Sequence, residues 1–230
     1  RDYGNGRSER IIGRAVEGRR QEVVITTKCR IEPEATAEHW QEKLEESLKR
    51  LGTDYVDVLQ FHGGYYGDEL AEKILESGML EWAAQAKRRG AIRFLGITAE
   101  NTSAGLERLI RTDRFDVLQI GFNLISQSHC DYARADEGVI TGVIPLARSL
   151  DMGIMTMRTT TSGFLEKLLS QQLPGITEAD VARLCIRFVL SVTEVDCALI
   201  GMTNRALVNE NIALAVDRDN RLDLLDLHVR

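Results

Sequence analysis

At 230 residues, 43% of them hydrophobic, the chain is long enough to fill the core of one large α/β domain. Its net charge of −6, with acids and bases interspersed, speaks against a nucleic-acid-binding surface but leaves room for a local phosphate site. No apolar run approaches the roughly 20 residues that span a bilayer, so no membrane insertion is expected.

The chain opens on Tyr3-Gly4-Asn5-Gly6-Arg7-Ser8-Glu9, a glycine-broken loop running into a helix that begins near Ser8. The apolar run Val23-Val24-Ile25-Thr26-Thr27, closed by Lys28, predicts a strand over 23–28. Residues 36–51 put Trp40, Leu44, Leu48 and Leu51 on one helical face, with Thr36 as the cap. A second strand is expected over 54–61, closed by His62. Further strands are expected over 92–98, 115–121, 153–157 and 196–201, with amphipathic helical stretches between them. Gly90 and Gly153 follow helical patterns, where a left-handed cap belongs. Strand and helix alternate throughout, which implies a parallel sheet covered by helices. With no linker or low-complexity tract, residues 1–230 read as a single domain.

An open doubly wound sheet usually signals itself by G-x-G-x-x-G after its first strand. Here Gly4-Asn5-Gly6 is followed by Arg-Ser-Glu, so the third glycine is absent. Cys29, Cys130, Cys185 and Cys197 are isolated from one another and from any histidine at metal-ligand spacing. Reduced thiols in a cytoplasmic protein without a metal site are the expectation, with Cys29 buried and inert beside Lys28. His39 and His129 are expected on the surface. Asn101-Thr102-Ser103 matches a glycosylation sequon, discounted because no secretory segment is visible. In the loop 63–68, Tyr65 and Tyr66 stand between glycines. They form either a mobile pocket wall or a surface turn with one tyrosine packed underneath. The tail 222–227 alternates Leu and Asp, which suits a pocket cover or a docked helix.

Both early strands read as buried and parallel, so Lys28 and His62 are expected at carboxyl ends of strands. That is the face where barrels of alternating strands and helices keep their chemistry. A phenol from Tyr3, an ammonium and an imidazole meeting there suit one task, the delivery of a proton to a carbonyl oxygen.

The ordered set of motifs goes further. It comprises Tyr-Gly-x-Gly-x-Ser-Glu at 3–9, Thr27-Lys28, the run from Ser47 to Asp57, and the strand ending at His62. It continues through Ile92-Arg93-Phe94-Leu95-Gly96-Ile97-Thr98 and Gln119-Ile120-Gly121-Phe122-Asn123, and closes with Gly201-Met202-Thr203 and Asn209-Glu210-Asn211. In order and spacing this set resembles the aldo-keto reductases over nearly the whole chain. The resemblance implies a (β/α)8 TIM barrel that binds NADP(H) in an extended pose and reduces an aldehyde or ketone, a small-molecule carbonyl substrate. A closed barrel needs eight strands. Only six are countable from Arg1 onward. Roughly 40–50 preceding residues are therefore expected, supplying two strands and a helix. The resemblance adds an aspartate five residues before Tyr3, paired with Lys28.

By the same resemblance Tyr3 is the expected proton donor, Lys28 the cation that eases its ionisation, and His62 the group that orients the carbonyl. A fixed positive charge there also stabilises alkoxide developing during hydride transfer. Gln119 matches the amide that holds the nicotinamide carboxamide. Thr98-Ala99 stands where the family often has Ser-Asn, keeping the hydroxyl and losing the second carboxamide ligand. Met157 stands where an aromatic side chain often stacks on the nicotinamide, and its sulfur can pack against a ring. Arg158, before Thr159 and Thr160, could reach the pyrophosphate. Thr203, Asn204 and Arg205 open a helix whose free N–H groups suit a phosphate, with Arg205 the candidate for the 2′-phosphate. Glu210 and Asn211 match the adenine contacts. The departures at Ala99, Met157 and 158–160 motivate an alternative. In it the chain is a non-catalytic or weakly catalytic cofactor-binding subunit of the same fold, with a regulatory or scaffolding role.

Overall fold

The apolar runs and amphipathic stretches fold as alternating strands and helices in a computed structural model that describes residues 3–134, 139–224 and 226. Two compact units divide the chain, Arg1–Ala99 with Ser103–Val117, and Glu100–Thr102 with Leu118–Arg230.

In the first unit α1 (Arg7–Ala15) leads to β1 (Thr26–Arg30), α2 (Ala37–Leu51), β2 (Val56–His62), α3 (Asp68–Glu76), α4 (Met79–Arg88), β3 (Ile92–Ala99) and α5 (Ala104–Ile110). The strands run parallel in the order β1-β2-β3, with Lys28 opposite Gln60, Arg30 opposite His62, and His62 opposite Thr98. Side chains alternate along a strand, so Gln60 and His62 share one face while Leu59 and Phe61 share the other. Phe61 meets Phe115 edge-on at 5.8 Å between ring centroids, and Trp40 packs on Trp82 at 5.9 Å. Each such fully buried ring contributes about 2–3 kcal/mol of apolar burial. Helix α2 starts as the sequence implies, with Thr36 Oγ1 accepting from His39 N at 3.3 Å, and ends at Gly52, φ 66°. Trp40, Leu44 and Leu51 are buried on its inner face, and Leu48 is half-buried.

The second unit holds β4 (Val117–Gly121, which begins at the boundary), β5 (Asp131–Arg134), β6 (Val139–Thr141), α6 (Val143–Ser149) and β7 (Gly153–Met157). It continues with α7 (Phe164–Gln172), α8 (Glu178–Ser191), β8 (Cys197–Ala198) and α9 (Arg205–Val216). Strand β7 lies between β4 and β8, and β7 and β8 are parallel. Leu165, Val181 and Cys185 form a core cluster with Leu124 and Leu169, while Phe122 stacks on Phe188 at 5.8 Å. Thr177 and Asp180 open α8 with a reciprocal capping box.

A single device recurs where strands begin. Asp57 accepts from Ile25 N at 2.8 Å, Arg20 Nη2 at 2.8 Å and Arg93 Nη1 at 2.7 Å. Asp116 accepts from Leu95 N at 2.7 Å and from Lys87 Nζ. Asp196 accepts from Ile154 N at 2.7 Å and from Arg148 Nη1 at 2.9 Å. In each case a carboxylate at or just before the start of one strand takes a backbone N–H in or next to the neighbouring strand and is neutralised by a cation.

Several expectations shift. Strand β1 begins at Thr26 rather than 23 and runs on to Arg30, which leaves Lys28 in mid-strand instead of at its end. Val24 belongs to the apolar run but is 74% exposed, because pairing with β2 begins only at Thr26. Gly90 takes the expected left-handed turn at φ 76°, whereas Gly153 opens β7 and Asp151, φ 57°, occupies the left-handed position before it. The run 196–201 yields only Cys197–Ala198 as strand. The antiparallel pair β5–β6 was not foreseen, since its residues show no clean apolar alternation. Part of the tail reading falls on residues 225 and 227, outside the described residues. Among the described residues no helix is long and apolar enough to cross a membrane.

Candidate active site

Tyr3 is held on a turn whose next three residues all take left-handed backbone conformations, Gly4 at φ 64°, Asn5 at φ 50° and Gly6 at φ 78°. The turn closes with Arg7 N donating to Gly4 O at 3.0 Å and runs directly into α1. It brings the phenol to β1, where Lys28 Nζ donates to Tyr3 Oη at 3.2 Å. The ammonium lies 5.6 Å from the Tyr3 ring centroid. The His62 ring, at the end of β2, stacks on Tyr3 at 5.9 Å with 23° between planes. Three residues spread over sixty positions thus converge within the first unit. Tyr3 remains 56% exposed, so the assembled face is open.

Thr98 sits beside His62 through the β2–β3 register, but its hydroxyl is buried and donates to Gln60 Oε1 at 2.9 Å. Its carbonyl accepts from Tyr66 Oη at 3.0 Å. Tyr66 is wholly buried and Tyr65 exposed, so the loop 63–68 is a turn with one tyrosine packed underneath. Cys29 is half-buried rather than buried, and desolvation pushes its thiol up to about 12, which keeps it protonated near neutral pH. The four cysteines are free. Among the described residues no cluster suits a metal ion.

In the second unit Gln119 on β4 is buried and points its Nε2 to Met157 Sδ at 3.1 Å. Arg158, next along, has φ 62° and is held by Glu100 through contacts of 3.0 and 3.3 Å, with Ser162 Oγ at 3.2 Å. Thr161 and Ser162 are also left-handed, so the loop after β7 is built from conformations that L-residues seldom adopt. Inside it the Thr159 hydroxyl is buried and has no hydrogen-bond partner among the described residues. Thr203, Asn204 and Arg205 are exposed at the start of α9, where Asn204 Oδ1 caps Leu207 N at 3.0 Å. Glu210 is paired with Arg183 at 2.7 Å, and Asn211 is half-buried on the same helix. His129 corrects an expectation. It is buried rather than on the surface, with Nδ1 2.6 Å from Gly121 O and Nε2 accepting from Thr102 N at 3.2 Å.

Sequence reasoning passed over Glu9, Arg50, Gln60 and Glu100, the partners that hold the named residues. Glu9 stood inside the quoted motif, and Gln60 was, with Asp57, one of two strongly polar side chains in an apolar run; both signals were visible.

The Aldo/keto reductase family model matches residues 2–179. L-galactose dehydrogenase of Arabidopsis thaliana is 26% identical over 95% of this chain and 72% of its own length. Aldo-keto reductase YhdN of Bacillus subtilis (strain 168) is 26% identical over 86% of this chain and 68% of its own. Among solved structures, the holo form of aldo-keto reductase AKR11C1 from Bacillus halodurans aligns with TM-score 0.75 at 22% identity, covering 99% of this chain and 78% of that one. An aldo/keto reductase from Klebsiella pneumoniae, solved in complex with NADP and acetate, aligns with TM-score 0.68 at 21% identity over 98% of this chain and 77% of its own. These structures show the fold class, α/β of the (β/α)8 TIM-barrel type. With a family model matching residues 2–179, most of its length, the chain belongs to the aldo/keto reductase family.

Proposed function

We propose that the chain is an NADP(H)-dependent reductase of aldehydes or ketones in which Tyr3 gives the proton. The observation that carries this reading is the 3.2 Å contact from Lys28 Nζ to Tyr3 Oη, with His62 stacked on the same ring. A cation at that distance stabilises the negative charge that builds on the phenol oxygen as its proton leaves. The imidazole of His62 would orient the carbonyl oxygen toward the phenol, so that the proton arrives where charge develops. The bound nicotinamide would supply the hydride.

The residues present fit such a cofactor. Gln119 and Met157 offer an amide and a sulfur for the nicotinamide end. Arg158 and the buried hydroxyl of Thr159, without a partner among the described residues, lie on the loop that would meet phosphate. Thr203, Asn204 and Arg205 present a helix start with an exposed cation to the 2′-phosphate, and Glu210 with Asn211 would meet adenine. Relatives of the same fold crystallised with NADP or NADPH support the assignment.

Tyr3→Phe should lower turnover of a nitro-substituted benzaldehyde with NADPH by about 100-fold or more, the range for losing a positioned acid. Wild-type turnover in that variant would remove the acid role. The plant relative's name makes aldoses, L-galactose included, a sensible part of the substrate panel. The non-catalytic alternative draws on Arg158 being tied to Glu100 and Gln119 to Met157. Tight NADPH binding with no turnover across aldehydes, ketones and aldoses would favour it.

A further inference from the structure

Helix α1 carries the turn that presents Tyr3, yet it buries no side chain of its own. Ile11 and Ile12 are exposed. Among the described residues, apolar packing therefore does not fix where the phenol lands. Two other kinds of contact do. Gly13 lies so close to the last residue of α2 that an added Cβ would collide with the Leu51 carbonyl, which sets backbone against backbone. The second is polar. Glu9 Oε1 accepts from Thr27 Oγ1 at 2.7 Å, and Glu9 Oε2 accepts from Arg50 Nε at 2.5 Å.

Both ends of that carboxylate reach the site. Thr27 immediately precedes Lys28 on β1. Arg50 runs under the Tyr3 turn, where a Cβ on Gly6 would stand 2.5 Å from Arg50 Cδ. Arg50 is itself fixed to α2 by Ser47 Oγ at 3.0 Å and Glu46 Oε2 at 3.4 Å. Lys28 and Tyr3, twenty-five residues apart, are therefore held by neighbours that share one carboxylate.

We propose that Glu9, clamped between Thr27 and Arg50, is the positioning residue that sets the Tyr3–Lys28 distance. The inference rests on the reading of Tyr3 as proton donor. The side chain is largely out of water, with 14% exposure at Glu9 and 18% at Arg50. Burial works against the Glu9 charge, but the Thr27 and Arg50 bonds outweigh it and hold the carboxyl below its usual range. The clamp thus stays ionised at any pH where a reductase works.

The test uses Glu9→Gln, Glu9→Asp and Thr27→Val in the full chain, with nitrobenzaldehyde and NADPH as probes and Tyr3→Phe alongside. Glu9→Gln keeps size and loses the charge that holds Arg50. It should lose about 10- to 100-fold in kcat, the scale of a misplacement near 1 Å, with KM changed less than about threefold. Its pH–rate profile should differ from wild type, because the Lys28 ammonium no longer sits at a fixed distance from the Tyr3 oxygen. Glu9→Asp should recover part of the loss, since charge is kept and reach shortened. A purely structural role would lower thermal stability while leaving kcat per folded molecule and the pH profile as in wild type, and that result overturns the inference. If Glu9→Gln fails to fold, Thr27→Val decides, because it removes one clamp bond and keeps the shape of the strand. A wild-type kcat and pH profile in it likewise overturns the inference. Full activity in Tyr3→Phe overturns the proton-donor reading and this one with it. An inactive Tyr3→Phe beside an unchanged Glu9→Gln overturns only the positioning role.

Discussion

Asp57 shows how much one side chain can carry in this fold. It is 2% exposed and accepts one backbone N–H and two guanidinium donors. Burial alone would raise its pKa, but Ile25 N–H, Arg20 and Arg93 prevail and the carboxyl is held below its ordinary 3.8. Removing the charge costs more than the pair contributes, because Arg20, 12% exposed, would keep its bonds to Thr53, Val23 and Tyr55 but lose its counter-ion. Asp57→Asn should therefore destabilise the protein by about 3–5 kcal/mol in urea unfolding. The linkage has a definite sign. A depressed folded pKa stabilises above the unfolded value, and that stability is lost as pH falls through the folded one. The variant should thus be less steeply acid-labile below pH 4 than wild type. A cost under about 1 kcal/mol would place Asp57 among ordinary surface ion pairs.

At the scale of elements, His129 ties the loop before β5 to two other segments, the end of β4 through Gly121 O and residues 100–102 through Thr102 N. Burial disfavours its charged form more than the Gly121 carbonyl favours it, so its pKa is lowered from 6.5. The unfolded chain then binds the extra proton first, and stability falls as pH drops through 6.5 toward the folded value. Protonation would also place a donor where Thr102 N–H needs an acceptor. Urea midpoints taken from pH 7 down to 5 should fall in wild type and stay flatter in His129→Gln; equal slopes would free this contact of any role. Such contacts explain what the sequence could and could not say about elements. The α2 cap, the parallel order of β1-β2-β3 and the pairing of Tyr3 with Lys28 and His62 were legible, because periodicity, a capping threonine and ordered motifs encode them locally. The mid-strand place of Lys28 was not, because strand ends are decided by which neighbour pairs, and β2 pairs only from Thr26 onward. His129 looked like a surface residue for a related reason. Its partners are backbone groups, and a backbone group leaves no trace in residue types. The same holds for the aspartates that open β2, β4 and β8, whose acceptors-for-N–H role appears only when neighbouring strands lie side by side.

At the scale of the whole molecule, a net charge of −6 works against an anionic dinucleotide. Screening confines that repulsion to about 8 Å at physiological salt, so affinity has to come from donors in contact with the cofactor. On the proposed reading these are the first N–H groups of α9 and the exposed guanidinium of Arg205, the only cation among the three residues that open the helix. NADPH and NADH differ by the 2′-phosphate alone, so the whole-protein response to the two cofactors isolates that cation. A ligand at about 100 times its Kd stabilises the folded state by about 2.7 kcal/mol. A tenfold loss of affinity should leave roughly half of that. Arg205→Ala should accordingly lose about half of the NADPH-induced rise in thermal stability while its response to NADH stays as in wild type. Equal losses with both cofactors would mean that Arg205 supports the helix start generally, and the 2′-phosphate would have to be met elsewhere.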